Sequence, residues 1–164
     1  MNSSLQQKLY DKYPKIFAQK DLDKSQTLMC WGITVGDGWF NILDTLCSQI
    51  QSHIDTPREN LERYQKYLQA SMDRGNEEDI KYWANQLEEI KQLIEERPQV
   101  EAVQVKEKYG TLRFYTNHYD DCVNTMINFA EEMSACTCEQ CGSPGTPTTG
   151  GWIKVQCSNC RGEI

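Results

Sequence analysis

Residues 100–116, Val100-Glu101-Ala102-Val103-Gln104-Val105-Lys106-Glu107-Lys108-Tyr109-Gly110-Thr111-Leu112-Arg113-Phe114-Tyr115-Thr116, decide the fold class. β-Branched residues are dense from Val100 to Val105, and aromatic and β-branched residues return from Leu112 to Thr116, a composition that suits a pleated surface. Lys106 to Gly110 connects the two runs, and Gly110 can take the positive φ of a tight reversal. The stretch reads as an antiparallel β-hairpin. Immediately downstream the period changes. From about Tyr119 to Ser134, Cys122, Met126, Phe129 and Met133 recur at helical spacing, with Val123, Ile127 and Ala130 beside them. That stripe predicts a helix packed on the hairpin, a two-layer α+β body.

Upstream, residues 56–97 read as an inserted antiparallel helical hairpin. Thr56-Pro57-Arg58-Glu59 has the form of a capping threonine, a proline at the first helical position and a glutamate three residues after the cap. Leu61, Tyr64 and Leu68 follow, Asp73-Arg74-Gly75-Asn76 breaks the pattern, and Ile80, Trp83, Leu87, Ile90 and Ile94 form a second seam that Pro98 ends. Further upstream, Trp39, Leu43, Leu46 and Ile50 predict a helix over 39–53, with Asp37 of the Gly36-Asp37-Gly38 turn as its N-cap. Met29 to Val35 reads as a short strand, and Leu5, Leu9 and Tyr13 as a short helix that Pro14 interrupts.

The C-terminal end carries the sharpest chemical signal. Cys138-Glu139-Gln140-Cys141 and Cys157-Ser158-Asn159-Cys160 form a CxxC–x15–CxxC array, the spacing of a tetrahedral site built from two thiolate pairs. Gly142 and Gly162 let each loop turn its N–H groups toward sulfur. With a turn-rich connection and the strand-like Trp152–Gln156 run, residues 136–164 predict a zinc ribbon holding one structural Zn²⁺, behind a body spanning 1–135. Four protein ligands leave no open position, so the metal is expected to be structural. Cys30, Cys47 and Cys122 fall on predicted apolar faces and read as buried thiols.

Composition narrows the function. Net charge is −7, and no extended basic stripe appears, which disfavours general nucleic-acid binding. No apolar run approaches the roughly 20 residues of a membrane span, and no signal sequence is visible, so a cytoplasmic location is expected. No phosphate-loop, HExxH, GxGxxG or GxSxG motif occurs, and nothing assembles a nucleophile, base and oxyanion set, which favours a binding protein over an enzyme. Two surfaces are candidates. Trp31, Asp37, Trp39, Lys106, Lys108, Tyr109 and Arg113 come from two turns at strand ends and would suit an anionic, nucleotide-like ligand or an acidic protein edge. The helical hairpin, with 11 acids against 7 bases over 55–97, offers Glu88, Glu89, Glu95 and Glu96 to a basic partner surface or to self-association.

Several segments carry a resemblance: Leu9–Phe17, Met29–Gly32, Gly36–Phe40, Val103–Tyr115, and Met133 through Gly145 with the first cysteine pair. Together they resemble a widespread family of small proteins encoded by tailed bacteriophages and prophages, over nearly the whole chain except the helical hairpin. In those relatives the last metal ligand is often histidine, where this chain has Cys160. The resemblance implies a phage context and the host cytoplasm, and carries no activity over. It makes the leading expectation a phage-encoded zinc-ribbon binding protein that inhibits or modulates a host factor, such as an antiviral defence system. The alternatives are a nucleic-acid regulator using Trp152, Lys154 and Arg161, and a nucleotide-binding or nucleotide-processing protein.

Overall fold

The computed structural model describes residues 1–162. The chain is α+β and divides into two compact units. One comprises Met1–Ile50 with the chain from Val100 onward; the other is Gln51–Gln99. The cysteine-rich end therefore belongs to the same unit as the β-hairpin.

In the first unit, α1 (Ser3–Lys12) starts at Asn2, whose side-chain oxygen accepts the Leu5 N–H at 2.9 Å. The Met29–Val35 run gives one 3₁₀ turn, Met29–Trp31, and only a two-residue strand, β1 (Ile33–Thr34), rather than a continuous strand. Gly32, at φ 74°, turns the chain between them. The next helix, α2, opens at Phe40 after a 3₁₀ turn over Asp37–Trp39 capped by Gly36. Asp37 is not its N-cap; its carboxylate accepts the Asn2 backbone and side-chain N–H groups, each at 2.6 Å.

The hairpin forms as read. β2 (Ala102–Lys108) pairs antiparallel with β3 (Thr111–Thr116), and β1 adds in parallel on the far side of β2, so the sheet is mixed, with order β1-β2-β3. The turn is two residues long, and both take positive φ: Tyr109 at 55° and Gly110 at 80°. That is the geometry of a type I′ turn, whose twist matches the flanking strands.

α4 (Asp121–Ser134) begins at Asp120, whose carboxylate accepts the Val123 N–H at 2.8 Å. It lies along β3: the Leu112 N–H donates to Ser134 Oγ at 2.8 Å and the Phe114 N–H to Glu131 Oε1 at 3.2 Å. Its buried residues are Val123, Ile127, Ala130 and Ser134. The predicted stripe is rotated: Cys122, Phe129 and Met133 are exposed. Helix 4 is apolar on two adjacent faces, and the one with the small residues Ala130 and Ser134 approaches the strand. Trp39, Phe17, Leu9, Ile16, Met29, Leu43, Val105, Leu112 and Val123 form the core of this unit, each such burial being worth about 1.5–3 kcal/mol for a large side chain.

α2 runs unbroken from Phe40 to Arg74, with Pro57 inside it. The predicted helix start at Thr56 does not occur. The Thr56 hydroxyl turns back to the Ser52 carbonyl at 2.7 Å instead of capping forward. The Arg58 guanidinium donates to the Ile54 carbonyl and, at 3.1 Å, to the Arg97 carbonyl. In the second unit, Gly75 at φ 68° reverses the chain into α3 (Glu77–Glu96), capped by Asn76. Leu87 and Ile90 are buried, and Trp83 is ringed by Tyr64, Tyr67 and Tyr82 at 4.8–5.3 Å between centroids. The antiparallel helical hairpin thus exists, but its first helix is the continuation of α2. Among the described residues, no helix is long and apolar enough to cross a membrane.

Candidate metal centre

The two CxxC pairs converge. The sulfurs of Cys138, Cys141, Cys157 and Cys160 all lie within 4.8 Å of one another, with Cys141 Sγ and Cys157 Sγ 3.6 Å apart. A metal–sulfur distance of about 2.3 Å at tetrahedral angles requires sulfurs about 3.8 Å apart, so the set fits one four-coordinate ion. Cys136, two residues before the first ligand, is exposed and outside the cluster.

The sequence builds the site locally. The Cys138 N–H donates to the Ser143 carbonyl at 2.7 Å and the Gly142 N–H to the Cys138 carbonyl at 2.9 Å, closing the first loop, with Gly142 at φ 79°. β4 (Thr146–Pro147) and β5 (Val155–Gln156) pair antiparallel and carry the chain to the second loop. Of the predicted Trp152–Gln156 strand only this C-terminal part forms. Cys160 sits on α5 (Ser158–Arg161), which Gly162 ends at φ 74°. The thiols are electrostatically split. The Ser143 hydroxyl and N–H, followed by the neighbouring cysteines, hold Cys141 down at about 6. Burial pushes Cys138 up, but N–H groups of Cys157, Cys141 and Gln140 outweigh it and leave the thiol below its ordinary value. Cys160, facing Cys141 and then Cys157, is pushed up to about 12. Like charges in one site cannot all ionise unaided, and a divalent cation at the centre removes the conflict.

The cysteine-rich end is clamped to the body by the Gly36–Trp39 loop. The Gly38 N–H donates to the Glu139 carbonyl at 2.8 Å, the Gly36 N–H to Glu139 Oε1 at 2.9 Å, and buried Trp39 donates Nε1–H to the Thr137 carbonyl at 2.8 Å. A Cβ at Gly38 would lie 2.2 Å from the Cys138 carbonyl oxygen, so only glycine fits there. This contact was not foreseen; the Gly-Asp-Gly-Trp run was its signal. Cys47 is the one predicted buried thiol that is fully buried, and burial drives its pKa upward. Cys30 is half-buried, and Cys122 lies at the surface.

The seven-residue turn cluster comes together only in part. Lys106 and Arg113 are direct cross-strand partners, so their side chains leave the same face, with Lys108 one position further along it. The Lys106 ammonium stands 5.6 Å from the Tyr115 ring centre, and Lys108 is 5.5 Å from that of Tyr109, itself 74% exposed. Tyr115 was missed, although its place two residues after Arg113 puts it on this face. Arg113 is paired with Glu131 at 3.2 Å. The other three do not join. Trp39 is in the core. Trp31, 67% exposed, lines a depression with Gln6 and Lys20, and Asp37 lines another with Glu139 and Lys154. On the helical hairpin, Glu88, Glu89, Glu95 and Glu96 are all exposed; Glu88 meets Lys91 at 3.7 Å, while Gln86 and Gln92 donate to Glu89 and Glu96. In the cysteine-rich end, Trp152 and Lys154 are exposed, whereas Arg161 donates to Thr146 and Pro147 and staples the β4 end.

No family model, no curated protein and no solved structure matches this chain.

Proposed function

We propose that this chain is a non-catalytic binding protein, stapled by one structural zinc ion, that engages an anionic group through the exposed face of its β-hairpin. Zinc is the ion that four thiolates in a closed tetrahedral set suit best in a reducing compartment, and all four ligands go to structure. The observation that carries the binding face is the direct pairing of Lys106 with Arg113 across the strands, with Lys108 next to them, in a chain of net charge −7. Arg113 is engaged by Glu131, and Lys106 and Lys108 present their ammonium groups from this face to an anionic partner. Tyr109 and Tyr115 add flat faces for a base or a peptide group. The phage-protein resemblance supports a host factor as the target, in the host cytoplasm, with antiviral defence as the system inhibited or retuned.

Trp152 and Lys154 favour a second reading, single-stranded nucleic acid as the anion, because a Cβ at Gly110 would touch Ile153 and so the hairpin turn adjoins this loop. Titration of the metal-loaded chain with a nucleotide panel and short oligonucleotides, followed by capture from host lysate, tests both. Lys106→Ala with Lys108→Ala should weaken binding at least about tenfold by removing two charged contacts. Reversing Glu88, Glu89, Glu95 and Glu96 should leave it unchanged. Binding that ignores the lysines, or that follows the glutamates, refutes this face.

A further inference from the structure

One face of the hairpin sheet is left open. Val105, Leu112 and Phe114 turn to the core, and the positions alternating with them turn outward: Gln104, Lys106 and Lys108 on β2, Thr111, Arg113 and Tyr115 on β3. No acid stands among these six. Two bordering carboxylates are engaged: Glu107 accepts the Gly110 N–H at 2.6 Å, and Glu131 pairs with Arg113. The cations of this face come with rings. The Lys106 ammonium lies 5.6 Å from the ring centre of Tyr115, and that of Lys108 lies 5.5 Å from the ring centre of Tyr109. The two lysines follow one another at a two-residue step along β2, about 7 Å. A third aromatic and cation lie beyond the turn. Trp152 and Lys154, both exposed, flank Ile153 in sequence, and a Cβ on Gly110 would lie 2.9 Å from the Ile153 Cγ2 methyl. The loop carrying them therefore abuts the hairpin tip.

We infer that these residues form a track for single-stranded nucleic acid, each lysine and its ring taking one nucleotide, along a line from Tyr115 past Tyr109 to Trp152. The inference rests on the hairpin face being the binding surface proposed above, and it names the ligand class of that surface. A nucleotide joins one phosphate to one flat base, and each unit of the track joins one ammonium to one flat ring. The step between Lys106 and Lys108 is about the distance between successive phosphates along a strand, so two neighbouring nucleotides can be held in register. The rings are free to stack: Tyr115 is 41% exposed, Tyr109 74% and Trp152 75%. Other anions use the surface less fully. An acidic peptide would meet the ammonium groups, but its carboxylates bring no flat face to three rings. A mononucleotide fills one unit of three. A duplex keeps its base faces inside its own stack and so offers them to none of the rings. The chain's net charge of −7 repels a polyanion elsewhere on the surface, which confines the strand to the line of lysines.

Fluorescence anisotropy on the full metal-loaded chain tests this, with a labelled oligothymidylate of about eight nucleotides, within the roughly 4–16 that single-strand sites span. An oligoglutamate peptide, thymidine monophosphate and a duplex of the same length are the competitors. The oligonucleotide should bind at least about tenfold more tightly than any of the three. Between about 20 and 200 mM salt, log K should fall against log salt with a slope of about −2, the value for three phosphate contacts on a single strand, and Lys108→Gln should flatten it by about 0.7. Tyr115→Thr, Tyr109→Asn and Trp152→Ser should each weaken binding by about 5- to 150-fold, the effect of losing one stacked base, with metal content and far-ultraviolet circular dichroism unchanged. Binding should quench tryptophan emission, and Trp152→Phe, but not Trp31→Phe, should remove the quench. Should a strand variant fail to fold, Lys108→Gln at the exposed tip and Trp152→Phe in the loop still decide. Oligonucleotide binding that ignores the rings, or a slope near zero, overturns the inference. If oligoglutamate, or an acidic protein, binds more tightly through the lysines and is indifferent to the rings, the single-strand track falls while the hairpin face stands. If nothing that binds depends on Lys106 and Lys108, both fall together.

Discussion

Replacing Gly38 with alanine should uncouple the four-cysteine end from the body, and its cost can be worked from the contacts. The added Cβ would sit 2.2 Å from the Cys138 carbonyl oxygen and 2.4 Å from the Gly142 nitrogen, backbone atoms of the first metal loop on both sides. Neither neighbour is a flexible side-chain tip, so the loop itself must move. Forced overpacking costs about 1–3 kcal/mol. Moving the loop also breaks the Gly38 N–H to Glu139 and Trp39 Nε1–H to Thr137 bonds, about 1 kcal/mol each net. The total is about 3–5 kcal/mol, a large share of the roughly 5–15 kcal/mol by which folded domains are stable. For a chain of this size the loss corresponds to a Tm lower by about 6–20 °C. Thermal unfolding followed by circular dichroism, with metal release to a chromogenic chelator, measures both effects. Gly75→Ala is the control. A Cβ there meets open space, and φ is 68°, so backbone strain of about 1–2 kcal/mol is expected without faster metal release. A Gly38→Ala protein with unchanged Tm and unchanged metal retention would refute the clamp.

Stripping the metal with a strong chelator should red-shift tryptophan emission, because Trp39 is fully buried and anchored on Thr137 while Trp31 and Trp152 already face solvent; emission that does not move would show that the ribbon and the body fold independently. Tyr109→Asn turns the Tyr109-Gly110 reversal into the residue pair a type I′ turn prefers, so it should raise stability in urea by about 1 kcal/mol while weakening binding at the lysine face. Asp44 should give a pH signature. Burial raises its pKa, but the Lys12 and Tyr13 hydrogen bonds outweigh this and hold it below the ordinary 3.8. Its stabilisation is therefore complete above the ordinary value and lost as pH falls through the lowered one. Asp44→Asn should cost about 1 kcal/mol at neutral pH, and the gap from wild type should close as pH falls through that lowered value.

What the sequence made legible was what it encodes by position. Two CxxC pairs fix four donors whatever surrounds them, and an alternating run around Tyr109-Gly110 leaves the chain little choice but to reverse. Where two local readings satisfied the same residues, packing decided. Helix 4 carries Cys122, Met126, Phe129 and Met133 beside Val123, Ile127 and Ala130, and large side chains made the first stripe look like the core. The strand instead took the face whose small residues permit close approach, with Ser134 reaching Leu112. Thr56-Pro57-Arg58-Glu59 is a valid helix start in isolation. In the folded chain a proline inside a helix costs about 3 kcal/mol, yet α2 continues through it with Pro57 buried and with Thr56 and Arg58 bonded to the preceding turn. The Gly36–Trp39 loop was readable as a turn, but not as a clamp, since its partners lie some hundred residues away.

The two donors that α4 satisfies on β3 also settle how this sheet ends. A strand at the border of a sheet is an open template on which a foreign chain can stack, the route to domain exchange and fibrils. Here Ser134 and Glu131 occupy the outward N–H groups of Leu112 and Phe114, and on the opposite border β1 is only two residues long. Among the described residues, the two borders of this sheet therefore offer a foreign chain almost no exposed ladder on which to polymerise.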